Sequence, residues 1–351
     1  MEDITASSVP ASSEVLTKPG PTLSAVSSSK LPIIIGVAAV VILVGLGAFY
    51  ALVYKPQQDN KNFITANDPK IAELASQINT LASKYPGFIT ELNTDLGADV
   101  GTESANLLGV STSSATVKSQ KVQIVIPQVL GEMAVVTQMR QLKVKTDEMT
   151  RLSTEGLVKL ESVKSGLVTW SGPSAKLSTV NASLSKSEEF LKRSQAVSKF
   201  FGDSVQSDIN MMPLLTNYLT VLGQFVQSTD KTVYLAQLNQ VTADLDTITK
   251  NMNAIDTTNV PAELKEISAT ASQAYSRMVS DLKAVTPLLT AGKYVEANNI
   301  LLSFQTEASN ISSVITNREG SYWQNEPILK TGATVASNLT TAWEDFKSLD
   351  N

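Results

Sequence analysis

The sequence predicts an all-α protein: a single N-terminal transmembrane helix followed by an elongated antiparallel helical bundle with coiled-coil-like packing. Three observations predict it. Residues 31–54 (LPIIIGVAAVVILVGLGAFYALVY) form an apolar run of 24 positions without a charge. From about residue 128 onward, apolar side chains return at intervals of three and four, the spacing of one helix face. The chain of 351 residues contains no Cys and no His, so neither disulfides nor Cys/His zinc sites can hold it, and packing must.

Residues 1–30 read as a disordered tail. Eight of the thirty are Ser, and Pro10, Pro19 and Pro21 interrupt regular structure. Such a segment buries too little surface to offset its ordering entropy. Residues 31–54 then form the span. As a helix the run is about 36 Å long, against a hydrocarbon core of about 30 Å. Lys30 and Lys55 bracket it, and Tyr50 and Tyr54 fall at its C-terminal end, where aromatic rings favour the interface. The apolar run is longer than a cleavable signal core, so an uncleaved signal-anchor is expected. The tail is expected inside the cell membrane and the bulk of the chain outside it.

Residues 55–66 (KPQQDNKNFITA) read as a polar spacer. Asn67-Asp68-Pro69 is a helix-opening signal, and Tyr85-Pro86-Gly87 reads as the matching stop. Between them Ile71, Leu74, Ala75, Ile78 and Leu81 make an apolar face. Residues 97–117 are Gly- and Ser-rich and read as an irregular loop, which makes 67–127 a short helix plus loop. One short stretch, Val122–Ile126, has strand character.

Residues 128–351 form the bundle. Its first apolar faces are Met149, Leu152, Leu160, Val163, Leu167 and Trp170, then Leu177, Val180, Leu184, Leu191, Val197, Phe201, Val205 and Met212. Leu238–Ile255, Leu264–Val285, Ala297–Ile315 and Val335–Leu349 continue the pattern. Ser171-Gly172-Pro173, Thr257–Pro261 and Ala291-Gly292 separate consecutive helices, with Gly292 suited to a left-handed cap. Short connections imply antiparallel neighbours. Pro213 and Pro287 fall inside helical patterns and are expected to kink or end them.

Composition narrows function. Without His or Cys there is no Ser-His-Asp triad and no thiol nucleophile. No side chain has an ordinary pKa between about 5 and 8, so the bundle is expected to be insensitive to mild pH change. A net charge of −5 argues against a nucleic-acid-binding face. Ser27-x-x-Lys30, Ser183-x-x-Lys186 and Ser228-x-x-Lys231 match the form of some acyl-transfer sites, but the companion elements are missing. Glu188-Glu189 and Glu344-Asp345 are adjacent acids about 100° apart on a helix, poorly placed to converge. Glu188 and Glu189 are instead spaced to pair with Lys192 and Arg193. The DLGADVGTE stretch, Asp95–Glu103, lacks the order of a calcium loop. No catalytic, cofactor or metal residue is therefore assigned, and the chain is not expected to be an enzyme.

Two pairs remain as candidate contact residues. Tyr322-Trp323 lies in a loop-like context and reads either as a partner-contact pair or as a cap on the bundle core. Gly47-x-x-x-Ala51 is a small-residue pattern that would let spans associate.

A span followed by a long helical bundle resembles the extracytoplasmic half of chemoreceptor-type sensors. The second span of such transducers has no counterpart here, since Val122–Val136 is interrupted by Pro127 and Glu132. The expectation is a membrane-anchored, extracytoplasmic bundle with a structural or protein-interaction role in the cell envelope. Its partners are the lipid bilayer through 31–54 and a protein partner or a second copy. The alternative is a small-ligand sensor or binding module without its own signalling domain.

Overall fold

The computed structural model describes residues 48–50, 55–91, 111–117, 122–128, 132–304, 306, 321–322, 325–326 and 330–348. The expected span 31–54 therefore lies outside the described residues, except for 48–50, where Phe49 and Tyr50 are exposed. Among the described residues, no helix is long and apolar enough to cross a membrane. The chain divides into two units after Gln58.

The second unit is a helical bundle carrying one β-hairpin. Its helices are α1 (Lys55–Glu91, whose first turn precedes the division), α2 (Glu132–Leu167), α3 (Ser178–Gln227), α4 (Thr232–Asn253), α5 (Ala262–Thr290) and α6 (Gly332–Ser348). A further helix covers 294–304, and a 3-10 turn, Ser174–Leu177, leads into α3. The hairpin pairs β1 (Ser111–Val117) antiparallel with β2 (Val122–Gln128), from Ser111↔Gln128 to Val117↔Val122. It packs on α3. The expected loop over 97–117 is thus corrected at its C-terminal end, where the partner strand of Val122–Ile126 lies.

Side-chain contacts fix the directions. Between α1 and α2, Gln77 Nε2 donates to the Leu152 carbonyl at 3.0 Å, Lys84 pairs with Glu148 at 2.9 Å, and Lys159 pairs with Glu73. One number rises as the other falls, so the helices are antiparallel. Between α2 and α3, Thr150 Oγ1 donates to Ser198 Oγ at 2.8 Å and Lys164 reaches Glu188 at 2.7 Å, again antiparallel. The same holds for α4 and α5 through Asp246–Lys283, 2.6 Å, and Asn253–Ser272. Helices α3 and α5 run parallel, with Asp208 bonded to Tyr275 and Tyr218 bonded to Leu282.

Helix α3 organises the interior. At about 1.5 Å per residue its 50 residues span about 75 Å. Val180, Leu184, Ser187, Leu191, Ser194, Ser198, Phe201, Val205, Asp208, Met212, Leu215, Leu219, Leu222 and Val226 alternate in steps of four and three along it. All are buried except the half-buried Asp208. That is a heptad seam sustained over the whole helix. It serves two apolar cores in succession. The first gathers α1, α2, α6, the start of α5 and α3 as far as Met212. The second gathers α4, the rest of α5, the 294–304 helix, Ile124 of β2 and α3 from Met211 onward.

Several boundaries differ from expectation, for one physical reason. Helix α1 begins at Lys55 rather than near 67, and it continues through Pro69 and Pro86. Pro213 and Pro287 likewise lie inside α3 and α5. A proline inside a helix loses one hydrogen bond and costs about 3 kcal/mol. All four rings face solvent, where water can serve the released carbonyl. The apolar face they interrupt continues underneath: Phe63, Asn67, Ile71, Leu74, Ile78, Leu81, Tyr85 and Phe88 of α1 are all buried. Tertiary burial therefore overrides the local stop signal. The polar spacer of 55–66 is the first turns of this helix.

The other breaks fall where expected. Pro261 precedes the first turn of α5. Gly292 has φ +75°. Its N–H donates to Leu289 O at 3.1 Å and that of Lys293 to Leu288 O at 2.8 Å, the paired bonds of a Schellman cap.

One buried carboxyl bears on the expected insensitivity to mild pH change. Asp208 occupies the α3 seam and accepts a hydrogen bond from the Tyr275 hydroxyl at 3.0 Å. Burial pushes its carboxyl up from 3.8 to about 6, against the opposing effect of that bond. The absence of histidine excludes only groups whose ordinary pKa is near neutral. Because the folded pKa is raised, the native state favours protonated Asp208. This stabilisation is complete below about pH 4 and is lost as pH rises through about 6. A displacement of about two pH units corresponds to about 3 kcal/mol. Asp208→Asn, which keeps an acceptor for Tyr275, should raise unfolding free energy by about 2 kcal/mol at pH 7.5 and hardly at all at pH 4. Urea denaturation at the two pH values checks this.

Candidate functional site

One concavity among the described residues is a cleft of about 500 Å³. Its walls are Arg193 of α3, Glu263, Glu266 and Ile267 of α5, and Ser321, Tyr322, Asn325 and Glu326. Local structure explains these positions. Arg193 sits two residues beyond Leu191 of the seam and is half-buried. Glu263 and Glu266 occupy the first turns of α5, where acids oppose the positive end of the helix dipole. Ile267, one residue on, turns into the first core. The N–H of Glu326 donates to the Tyr322 carbonyl at 2.9 Å, one helical turn.

The centre of the cleft is an ion pair. Arg193 Nη2 donates to Glu326 Oε2 at 2.7 Å, and the Glu326 side chain is only 2% exposed. Burial works against the charge on Arg193, but the facing Glu326 carboxylate more than offsets this and holds the guanidinium above its ordinary pKa. Tyr322 lies beside both groups. Burial and then the Glu326 carboxylate push its hydroxyl well above the ordinary phenol range. The tyrosine therefore stays neutral and serves as a hydrogen-bonding group, not as a base.

Of the candidate residues read from the sequence, Tyr322 is 7% exposed and belongs to the first core. The ring packs into the core while the residue also lines the cleft, a place that suits either reading. Trp323, Gly47 and Ala51 lie outside the described residues. Arg193 does not pair with Glu189 as the i,i+4 spacing suggested; it turns inward to Glu326. Glu188 does pair with Lys192, at 2.6 Å, and also with Lys164. The Lys164 bond leads in holding its carboxyl down at about 2.

The serine–lysine pairs have other occupations. Ser228 Oγ donates to the Asp230 carbonyl at 2.6 Å, and the Lys231 ammonium lies 5.1 Å from the Phe225 ring centroid. Ser183 and Lys186 line a smaller groove of about 300 Å³ between α3 and α6, with Asn338, Thr341 and Asp345. Ser27–Lys30 and Asp95–Glu103 lie outside the described residues. Among the described residues, no group of three acids could hold a metal ion.

Sequence reasoning reached Tyr322 but missed Arg193, Glu326, Glu263 and Glu266. The only signal near Glu326 was its proximity to Tyr322. No family model, no curated protein and no solved structure matches this chain.

The ion pair makes a quantitative expectation. Removing Arg193 takes away the cation that faces the buried Glu326 carboxylate, which costs about 3 kcal/mol. Arg193→Met should therefore destabilise by about that amount. Arg193→Met combined with Glu326→Leu should recover most of it, since a well-packed apolar pair is close to neutral by comparison. Urea denaturation of the three chains measures the difference.

Proposed function

We propose that this chain is a single-pass, membrane-anchored helical-bundle protein with a structural or protein-interaction role in the cell envelope. Its bundle lies outside the cytoplasm and its anchor is residues 31–54. One observation carries the reading. The α3 seam runs unbroken through two stacked apolar cores, and nearly all the polar groups on it are spent within the bundle. Ser187 and Ser198 bond carbonyls one turn back in their own helix at 2.8 and 2.7 Å. A helix of 50 residues that carries two cores in succession suits a spacer or display element. The uncharged run 31–54 supplies the attachment.

Membrane fractionation and a C-terminal reporter test this together. The chain should stay with membranes through alkaline carbonate washing, and a reporter that works only outside the cytoplasm should be active. Release by carbonate, or a reporter active only in the cytoplasm, would overturn the reading.

A second reading is favoured by the cleft. Arg193, Tyr322, Asn325 and Glu326 set polar groups around an open volume of about 500 Å³, the size of a small-molecule pocket. On this reading the protein is a ligand-binding module. A panel of metabolites and envelope sugars should then give at least one thermal upshift, and Asn325→Ala should abolish it. A panel with no upshift, or an upshift indifferent to Asn325→Ala, counts against it.

A further inference from the structure

Among the described residues β1 and β2 make up the whole sheet, so each strand pairs on one side only. The hairpin lies on α3, with Ile124 of β2 buried in the second core. A strand with one partner turns the N–H and C=O of every second residue to its open edge. Pro127 decides which residues those are. It stands opposite Thr112 and has no N–H to give. The ladder bonds around it therefore fall at the flanking pairs, Ser111↔Gln128 and Ser113↔Ile126. By alternation they recur at Ala115↔Ile124 and Val117↔Val122. On β1 the outward backbone groups thus belong to Thr112, Ser114 and Thr116, and on β2 to Gln123, Val125 and Pro127.

The two edges are not alike. On β2 the proline removes a donor at an outward position, a common way of blunting an edge. On β1 every outward donor and acceptor is present, and STSSATV contains neither a proline nor a charge to turn a strand away. Its sequence also says which strand fits. Read outward from Ser114, β1 is nearly its own mirror: Ser113 and Ala115 come first, then Thr112 and Thr116. An antiparallel copy centred on Ser114 sets Ser114 against Ser114 and Thr112 against Thr116. The outward groups of one strand then meet those of the other at every position, and Thr–Thr is a favourable cross-strand pair. Charge points the same way. The chain carries −5, which sets copies against one another, but residues 104–117 include no Asp, Glu, Lys or Arg. A join made there brings no like charges together.

We infer that the open edge of β1 is a self-association surface, where a second copy of this chain adds its own β1 antiparallel and the two hairpins form one sheet in the order β2–β1–β1–β2. Backbone hydrogen bonds supply the attachment, as in other strand additions. The mirror symmetry about Ser114 supplies the register. The two copies are related by a twofold axis, which closes the assembly at a dimer. This join rests on the interaction role proposed above and gives it a surface and a partner. It does not rest on the anchor, so the carbonate wash and the reporter can fail while the join holds, and the reverse.

The natural chain has no Cys, so single cysteines in the full chain, held in detergent micelles, report the register without background. Under mild oxidation Ser114→Cys should crosslink to its own copy, because the paired Cα atoms lie about 5.5 Å apart, within disulfide reach. Thr112→Cys alone should not, since its two copies lie about 14 Å apart along the join. Mixed with Thr116→Cys, it should. Light scattering after size exclusion reads the same association without a covalent bond. The natural chain should pass from monomer to dimer between about 1 μM and about 1 mM, and Ser114→Pro should weaken this by about tenfold or more. Ser114 turns its N–H outward, so this proline spares the β1–β2 ladder, and unchanged helicity and Tm show that the fold is kept. Ser114→Lys, which sets two ammonium groups against each other at the centre of the join, should weaken it likewise. A natural chain that stays monomeric throughout overturns the inference. So does a dimer indifferent to both Ser114 substitutions, or Thr112→Cys crosslinking as readily alone as with Thr116→Cys.

Discussion

The rest of the structure depends on the heptad seam of α3. Helix α3 packs against α2, α4 and α6 and carries the hairpin. The seam from Val180 to Val226 alternates four and three without a skip. An α-helix at 3.6 residues per turn drifts only slowly against such a repeat, so one face stays turned to its neighbours. No other described helix runs as long, and α1, α2 and α6 on one side and α4 on the other complete separate cores on it. Position along α3 therefore decides position in the molecule, including that of Arg193 in the cleft and of Asp208 beside Val205, Ile209 and Met212 of the first core.

The seam is less apolar than its regularity suggests. Ser187, Ser194 and Ser198 fill three of four consecutive positions, with Leu191 the fourth, and Asn67 of α1 is buried against Gly166 of α2. Serines on a helix return their hydroxyl proton to a carbonyl one turn back, as Ser187 and Ser198 do. Those two are thus satisfied locally, and all three serines occupy little volume, which lets neighbouring helices approach. Thr150 to Ser198 adds a cross-helix bond at 2.8 Å. Asn67 differs: its amide nitrogen donates to the Phe63 carbonyl at 2.9 Å, while its oxygen has no partner among the described residues. Such a group lowers stability and favours one register over its neighbours. The bundle gives up some apolar burial for a defined alignment of helices.

Much of this was legible in the sequence, and the gaps have identifiable causes. The apolar periodicity located the faces of α2 to α6, because burial and period are one signal for Leu, Val, Ile and Phe. Leu177, Val180, Leu184, Leu191, Val197, Phe201, Val205 and Met212 are all buried as read. The turns at 171–173, 257–261 and 291–292 were legible because Gly and Pro there act locally. The prolines at 69, 86, 213 and 287 misled because a stop signal depends on which way the ring points, and that is set by tertiary packing. Strand β1 was missed because STSSATV shows no apolar alternation; its pairing with β2 supplies what its own sequence lacks. The cleft was illegible for a related reason. Arg193 and Glu326 are 133 positions apart, and nothing in either neighbourhood marks a buried charge.

The absence of Cys and His then takes on a narrower meaning. It removes thiol chemistry and ordinary near-neutral titration from the whole chain, but it leaves carboxylates whose environment can move them. The two most displaced described carboxyls move in opposite directions for opposite reasons. Glu188 lies near the surface between two lysines and falls to about 2; Asp208 lies in a seam, faces a neutral phenol and rises to about 6. The first is a brace whose charge is fixed across the physiological range. The second changes charge within it, on the α3 seam between Val205 and Met212. A histidine-free bundle thus still has a titrating group at its interior.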